Sequence, residues 1–158
     1  MAPENREPPG AGRVRTFRAP DVARVMEILR ESPEAASWSR DSFLEAVRDP
    51  GSLALVFESD RLVTGFLIGR LVQEQAEILN LAVAPNRRHQ GVATRLLEAA
   101  LAKFRLQATE TAYLEVRESN AVGIAFYFRH GFSPVGRRKD YYQGPTEAAV
   151  TMAKKLFS

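Results

Sequence analysis

The chain has 158 residues, of which 45% are hydrophobic and 26% are charged, and its formal net charge is +3. This length predicts one compact domain and is too short for two ordinary ones. The sequence contains no cysteine, which excludes disulfide bonds, thiolate zinc sites and a cysteine nucleophile. So mild a positive charge does not single out nucleic acid, an acidic ligand or any other partner.

The N-terminal segment is charged and proline-rich and lacks the apolar stretch of a signal peptide. We expect a disordered tail over residues 1–12 and one domain over residues 13–158. No apolar run approaches the roughly 18 residues needed to span a bilayer, so no membrane association is expected. These features predict a cytoplasmic protein.

The first fifty residues predict one strand and two helices. The strand is expected at residues 13–18, and a helix runs from Pro20, whose ring suits a first helical turn, to the break at Pro33. Ser39 is a suitable N-cap for the second helix, which the turn sequence of residues 49–51 ends.

Three strands and the clearest helix come next. The strands are expected at residues 53–58, 61–71 and 76–83, and a tight Ser-Asp turn makes the first two an antiparallel hairpin. A long amphipathic helix follows over residues 91–105. Its apolar stripe consists of Val92, Ala93, Leu96, Leu97, Ala100, Leu101 and Phe104.

The rest of the chain predicts a strand at residues 111–117, a helix at 120–129, and strands at 132–141 and 148–154. The helix at 91–105 lies between two strands and implies a parallel crossover there, whereas the hairpins elsewhere are antiparallel. The expected fold class is α/β (α+β), with a mixed, mostly antiparallel sheet of about seven strands and about four helices on its faces.

The most informative segment runs from a strand through a basic loop into the long helix, over residues 80–94. Backbone N–H groups and the positive end of the helix dipole converge at such an entry, which favours an anion. Gly91 and Ala93 leave room for a diphosphate to approach the backbone, and Arg87 or Arg88 could add a charge. A lone glycine here can also be an ordinary loop residue. The loop has neither a P-loop sequence nor a three-glycine dinucleotide motif.

A second group of candidate residues lies on the strand at 111–117 and the helix after it. Alternation places Glu115 on the face opposite Leu114 and Val116, where its carboxylate can act as a general base or be an ordinary solvated group. Tyr127 can be a general acid or a packed aromatic. The apolar face of its helix is expected to include Ala121, Ile124, Ala125 and Phe128.

The pattern Arg88-x-x-Gly91-x-Ala93, after a strand ending in Leu-Ala-Val, resembles the coenzyme A pyrophosphate loop of the GNAT acetyltransferases. The order of predicted elements is also the order of that family. The resemblance implies acetyl-CoA as co-substrate, with the end of the strand binding the acetyl-pantetheine arm and the loop holding the diphosphate. The cofactor-binding residues that it implies are Leu81, Ala82, Val83, Arg88, His89, Gln90, Gly91, Val92, Ala93 and Thr94.

The run Leu-Glu-Val-Arg-Glu-Ser-Asn at residues 114–120, followed by Tyr127, is similar to the RimI-type ribosomal-protein alanine N-acetyltransferases. This similarity implies that Glu115 accepts a proton, that Tyr127 donates one to the departing thiolate, and that Asn120 contacts coenzyme A. It implies direct transfer in a ternary complex to the N-terminal alanine of small-subunit ribosomal protein eighteen, with the Val83 amide stabilising the oxyanion. Neither a metal nor a covalent enzyme intermediate is expected.

The resemblance extends over residues 13–156, and Trp38-Ser39 and Tyr141-Tyr142 also match. Phe126 replaces a leucine, Gly123 replaces a common alanine, and the loop after Tyr142 is shorter than in well-known members. Since that loop shapes the peptide side of such enzymes, the exact acceptor is left open.

Three alternatives fit parts of the sequence. The enzyme could acetylate lysine, other protein N-termini or a small amine, or the chain could bind coenzyme A without catalysis. The basic runs Arg87-Arg88 and Arg137-Arg138-Lys139 could bind RNA, but no RNA-binding signature accompanies them, so no direct nucleic acid contact is expected.

Overall fold

The computed structural model describes residues 11–157. Apart from residues 11 and 12, which lead into the first strand, the expected N-terminal tail lies outside the described residues. The strands are β1 (Arg13–Thr16), β2 (Ser52–Ser59), β3 (Leu62–Val72), β4 (Gln75–Val83), β5 (Thr111–Arg117), β6 (Ser133–Tyr142) and β7 (Glu147–Lys155). The α-helices are α1 (Val22–Arg30), α2 (Arg40–Arg48), α3 (Val92–Leu106) and α4 (Ala121–Arg129).

The seven strands form one sheet in the order β1-β2-β3-β4-β5-β7-β6. The β4–β5 pair is parallel and every other neighbouring pair is antiparallel. This confirms the expected mixed sheet and the crossover through α3. Such a connection is required because two parallel neighbours cannot be joined by a tight hairpin.

Local signals explain several element boundaries. Ser39 caps α2 as expected, with its side chain accepting the Ser42 backbone N–H at 3.1 Å. Asp60 and Arg61 both have positive φ, as a two-residue hairpin turn requires, and β3 therefore begins at Leu62 rather than at residue 61. The segment from Pro20 begins as a short 3-10 turn, and the regular helix starts only at Val22.

The sheet separates two hydrophobic cores. On one face α3 buries the expected stripe, including Leu96, Leu97 and Phe104, against the central strands. On the other face α1 and α2 cover a second core that contains Phe43 and Phe66. Both faces are therefore occupied by helices, and the ends of the central strands remain open to form a site.

The expected apolar face of α4 was wrong. Ala121, Ala125 and Phe128 are exposed, and Phe128 keeps 65% of its surface accessible. The side chains that pack against the α3-side core are Ile124, Phe126 and Tyr127. Since α4 is apolar on several sides, its sequence alone does not decide which side meets the sheet.

Candidate active site

The central strands β4 and β5 separate partway along their length. Their parallel pairing ends at Ile78 and Leu114, although both strands continue. A cavity of about 920 Å³ lies at this opening, lined by the free end of β4, the start of α3, the end of β5 and one side of α4. Its volume is in the range of small-molecule sites.

The end of β4 presents backbone groups to this opening. The Ala84 N–H donates to the Thr64 carbonyl at 2.8 Å, so that pair is hydrogen-bonded across the strands. In an antiparallel pair the alternate residues point the other way, so the N–H groups of Leu81 and Val83 face the opening rather than β3. These two N–H groups are hydrogen-bond donors at the wall of a largely apolar cavity.

The loop after β4 enters α3 through a backbone conformation that favours glycine. Gly91 is the N-cap of α3 with φ +83°, and it supplies no capping side chain to the first helical turn. A Cβ at Gly91 would have no neighbour within 4 Å, so it would project into open space beside the N–H groups of that turn. A diphosphate fits this cradle: the N–H groups point at it and the helix dipole favours its charge.

The structure brings nearly all the candidate residues to one cavity. Gln90 is the exception, because it does not line the cavity and its side-chain amide donates to the Asn86 carbonyl at 3.2 Å. The candidates that line the cavity are Leu81, Ala82, Val83, Arg88, His89, Gly91, Val92, Ala93, Thr94, Glu115, Asn120 and Tyr127.

Asn120 caps α4 and faces the same cavity. Its side-chain oxygen accepts the Gly123 N–H at 2.9 Å, while its amide nitrogen has no partner in the part of the chain that the structure describes. A Cβ at Gly123 would lie 2.5 Å from that nitrogen. Glycine at this position therefore allows the Asn120 side chain to fold against the helix.

Thr94 is tied to the C-terminal end of α4. Its hydroxyl lies 3.3 Å from Nε2 of His130, and the His130 ring stacks at an angle on Phe126 with centroids 4.7 Å apart. Burial lowers the pKa of His130, with a smaller contribution from Lys154. The lowered pKa favours the neutral imidazole although Glu98 opposes the shift, and in that form one ring nitrogen can accept from the Thr94 hydroxyl.

Glu115 has one engaged and one available carboxylate oxygen. Oε1 forms an ion pair with Nε of Arg138 at 3.1 Å, whereas Oε2 is buried and has no hydrogen-bond partner among residues 11–157. Burial and the Glu115 carboxylate raise the pKa of the neighbouring Tyr141 phenol. The Glu115 side chain is 21% exposed and lines the cavity. A buried, unpaired acceptor at the wall of a cavity is costly unless a ligand supplies a donor.

Tyr127 lies on α4 and lines the same cavity. Its ring meets Phe126 and Phe132 edge-on, at centroid distances of 5.2 and 5.8 Å. Burial raises the pKa of the Tyr127 phenol well above its usual range, and nearby Tyr142 adds to the effect. The hydroxyl therefore keeps its proton at neutral pH, as a proton donor requires.

Sequence reasoning missed the charged and aromatic groups that surround Glu115. Arg138 lies on β6, two strands from β5 in the sheet, and the sequence placed it only in a basic run. Burial and Tyr141 raise the pKa of Tyr142 to about 12, and the Arg117 guanidinium lies 4.5 Å from the centre of the Tyr142 ring. No local pattern connects these residues, because they come together only through strand order.

With this geometry established, comparison with known proteins decides the family. A profile of the acetyltransferase (GNAT) family matches residues 22–132, which is more than half of the chain. The chain belongs to the GNAT family. It is an acetyl-CoA-dependent N-acetyltransferase, in agreement with the fold and with the pattern at residues 88–93.

Individual relatives of this GNAT enzyme carry a more specific name. A [ribosomal protein bS18]-alanine N-acetyltransferase from Haemophilus ducreyi is 31% identical over 146 residues, covering 90% of this chain and 99% of the relative. The protein of that name from Escherichia coli K12 is 32% identical over 131 residues, covering 79% and 85%. The Escherichia coli crystal structure of a ribosomal-protein-S18-alanine N-acetyltransferase matches with a TM-score of 0.83 at 26% identity, covering 94% of this chain and 96% of that one.

The basic runs of this GNAT domain are largely neutralised. Arg87 pairs with Asp60, Arg88 with Glu34, Arg137 with Glu118, and Arg138 with Glu115. Such pairing reduces the free positive charge that an RNA surface would need. Within residues 11–157, no helix has the length and apolarity that would be needed to cross a membrane.

Proposed function

We propose that this enzyme acetylates the N-terminal amine of a protein that begins with alanine, and that its acceptor is ribosomal protein bS18. The observation that supports it most is the shared cavity, which is lined by the end of β4, by Glu115 with its unpaired Oε2, and by Tyr127. The names of the relatives support the choice of acceptor.

In this proposal the loop wall, defined as residues 81–94, holds acetyl-CoA. The N–H groups of Leu81 and Val83 receive the acetyl-pantetheine arm. The loop residues from His89 to Thr94 cradle the diphosphate, mainly through backbone N–H groups. Asn120 offers its amide nitrogen from the α4 side, whereas the Arg88 guanidinium is held by Val83, Glu31 and Ser32 and is assigned no contact with acetyl-CoA.

The proposed chemistry uses three groups of the chain. Bound acetyl-CoA supplies an activated thioester. Oε2 of Glu115 accepts a proton from the ammonium, and the freed amine attacks the thioester carbon while the Val83 N–H stabilises the negative charge on the carbonyl oxygen. The carbon–sulfur bond then breaks, the Tyr127 hydroxyl gives its proton to the leaving sulfur, and the second proton of the amine nitrogen restores the phenol. Holding the amine against the thioester contributes a large part of the rate. No metal is needed in this scheme, and that remains a prediction.

The carboxylate wall receives the acceptor. We define this wall as Glu115, Tyr127, Arg138 and Tyr142. The ammonium of the incoming acceptor donates a hydrogen bond to the unpaired oxygen of Glu115. A charged side chain further along the acceptor peptide would face Arg138. The side of the opening formed by residues 33–36 completes the entrance.

A panel of matched peptides tests the acceptor. The reference peptide has the bS18 N-terminal sequence beginning with alanine, and the variants begin with serine or methionine or carry a blocked N-terminus and an internal lysine. We expect the highest kcat/KM with the alanine peptide, measured by thiol release and mass spectrometry. Faster acetylation of the blocked lysine peptide would contradict the proposal.

The same panel separates an enzyme from a binding module. If acetyl-CoA binds in calorimetry but none of the peptides or small amines is acetylated, the cavity serves only for binding. Acetylation at the alanine amine alone, located by fragmentation of the product, supports the proposed function.

A further inference from the structure

The Arg88 guanidinium joins the end of β4 to the segment that follows α1. Nε donates to the Val83 carbonyl at 3.1 Å. One terminal nitrogen donates to the Glu31 carbonyl at 3.1 Å and to the Ser32 hydroxyl at 3.2 Å. The same nitrogen lies 3.4 Å from a carboxylate oxygen of Glu34. The side chain therefore spans two segments that are more than fifty positions apart in sequence.

Both segments border the opening. Val83 is the residue whose N–H faces the space between β4 and β5. Of the segment that we call the α1–α2 connection, residues 31–36, the last four residues line the same cavity. Arg88 thus connects the wall expected to orient the thioester to a wall at the acceptor entrance.

Asn80 makes a second connection between the same two parts. It is 4% exposed, and its side-chain nitrogen donates to the Ala36 carbonyl at 3.0 Å. Asn80, on β4, holds one end of the α1–α2 connection, and Arg88, in the loop after β4, holds the other end. Two independent tethers fix the position of this connection better than one, because each removes a different freedom.

We infer that the Arg88 side chain is a positioning residue that sets the α1–α2 connection against the end of β4, and so fixes the acceptor amine relative to the thioester. This inference rests on the proposed function. Its physical basis is geometric: a misplacement of about 1 Å can cost a factor of about 10² in rate even when every reacting group is present. In this role the forked guanidinium matters more than its charge, because four acceptors surround it.

The test compares two variants that both remove the hydrogen bond between the Arg88 guanidinium and the Ser32 hydroxyl. Arg88→Gln removes the fork and the charge, whereas Ser32→Ala removes one acceptor of Arg88 and leaves its charge in place. We expect both variants to raise KM for the acceptor peptide, by about tenfold for Arg88→Gln, while Kd for acetyl-CoA changes less than about twofold. Arg88→Lys should not rescue KM, since a point charge cannot replace the fork.

Non-additivity gives the sharper readout. The double variant should be no worse than Arg88→Gln alone, because both changes break the same connection. Arg70→Gln is the matched control, since it removes an ion-paired arginine on β3 that does not line the cavity. If Arg88→Gln weakens acetyl-CoA binding and leaves the acceptor KM unchanged, Arg88 is a diphosphate ligand and the inference is wrong.

Hydrogen–deuterium exchange tests the inference without an acceptor. We expect faster exchange at residues 31–36 in Arg88→Gln and in Ser32→Ala, and no change there in Arg70→Gln. Unchanged exchange in both variants would overturn the inference. If wild type acetylates no amine, the proposed function fails, and the exchange experiment still decides whether Arg88 positions this connection.

Discussion

The two walls of the cavity are constructed differently. The loop wall is one continuous stretch that presents mainly backbone N–H groups at the end of β4 and the start of α3. The carboxylate wall is assembled from β5, α4 and β6, and presents side chains whose properties depend on one another. Backbone donors survive most substitutions, whereas a carboxylate or a phenol does not. Acetyl-CoA binding and catalysis in this enzyme should therefore be separable by mutation.

The largest expected effect is at Glu115. Glu115→Gln keeps size and hydrogen bonding but removes basicity, so kcat should fall by about 10²–10⁴-fold while Kd for acetyl-CoA stays the same. Steady-state kinetics and calorimetry measure the two quantities. Glu118→Gln is the matched control, because Glu118 pairs with Arg137 and does not line the cavity. Wild-type turnover by Glu115→Gln over pH 6 to 9 would remove Glu115 as the base.

The next largest effect is at Tyr127. Tyr127→Phe keeps the ring against Phe126 and Phe132, so the fold should be unchanged while kcat falls by about 10²-fold. The raised pKa means that the phenol stays protonated as the pH rises, so wild-type kcat should not decline between pH 7 and 9. Tyr113→Phe on β5 serves as control. Full activity in Tyr127→Phe would make the tyrosine a packing residue.

The loop wall is tested at Gly91. Gly91→Ala adds a Cβ at φ +83° that would point into open space, where the diphosphate is expected. We expect about tenfold or weaker binding of acetyl-CoA by calorimetry, together with a loss of about 1 kcal/mol of stability from the backbone conformation.

Gly144→Ala is the control for that conformation. Gly144 has φ +66° and also has no neighbour within 4 Å of an added Cβ. It lines the same cavity but lies outside the loop wall. It should lose stability and keep its affinity for acetyl-CoA. Equal losses of affinity in both variants would mean that backbone strain, and not the cradle, explains the effect of Gly91→Ala.

The smallest effect concerns the support of the acceptor entrance. Ser39→Ala removes the N-cap of α2 and should lower the free energy of unfolding by about 1 kcal/mol without a large change in kcat. Urea denaturation measures this. Ser42→Ala is the comparison, because it keeps the backbone N–H that Ser39 accepts and removes only the 2.9 Å contact between the two hydroxyls. An equal loss in both variants would argue against the cap.

The sequence determined the parts of the protein that depend on neighbouring residues. The hairpin turn at residues 60–61, the cap at Ser39 and the entry of α3 at Gly91 follow from local backbone preferences, and each lies within a few residues of its expected place. The loop wall was readable for the same reason, since a strand, a loop and a helix are consecutive. The order of strands and helices predicted a mixed sheet with one parallel crossover, but it predicted neither the order of the strands in the sheet nor their register.

The contacts between side chains that are distant in sequence depend on long-range packing. Arg138 reaches Glu115 because β7 lies between their strands and presents the small residues Ala149 and Thr151 on the shared face. Two further features depend on long-range packing in the same way. Helix α4 packs against the core through Tyr127 rather than through Phe128, and Arg88 contacts residues 31–34. Backbone preferences act over a few residues, whereas the partner of a charged side chain is set by the whole sheet.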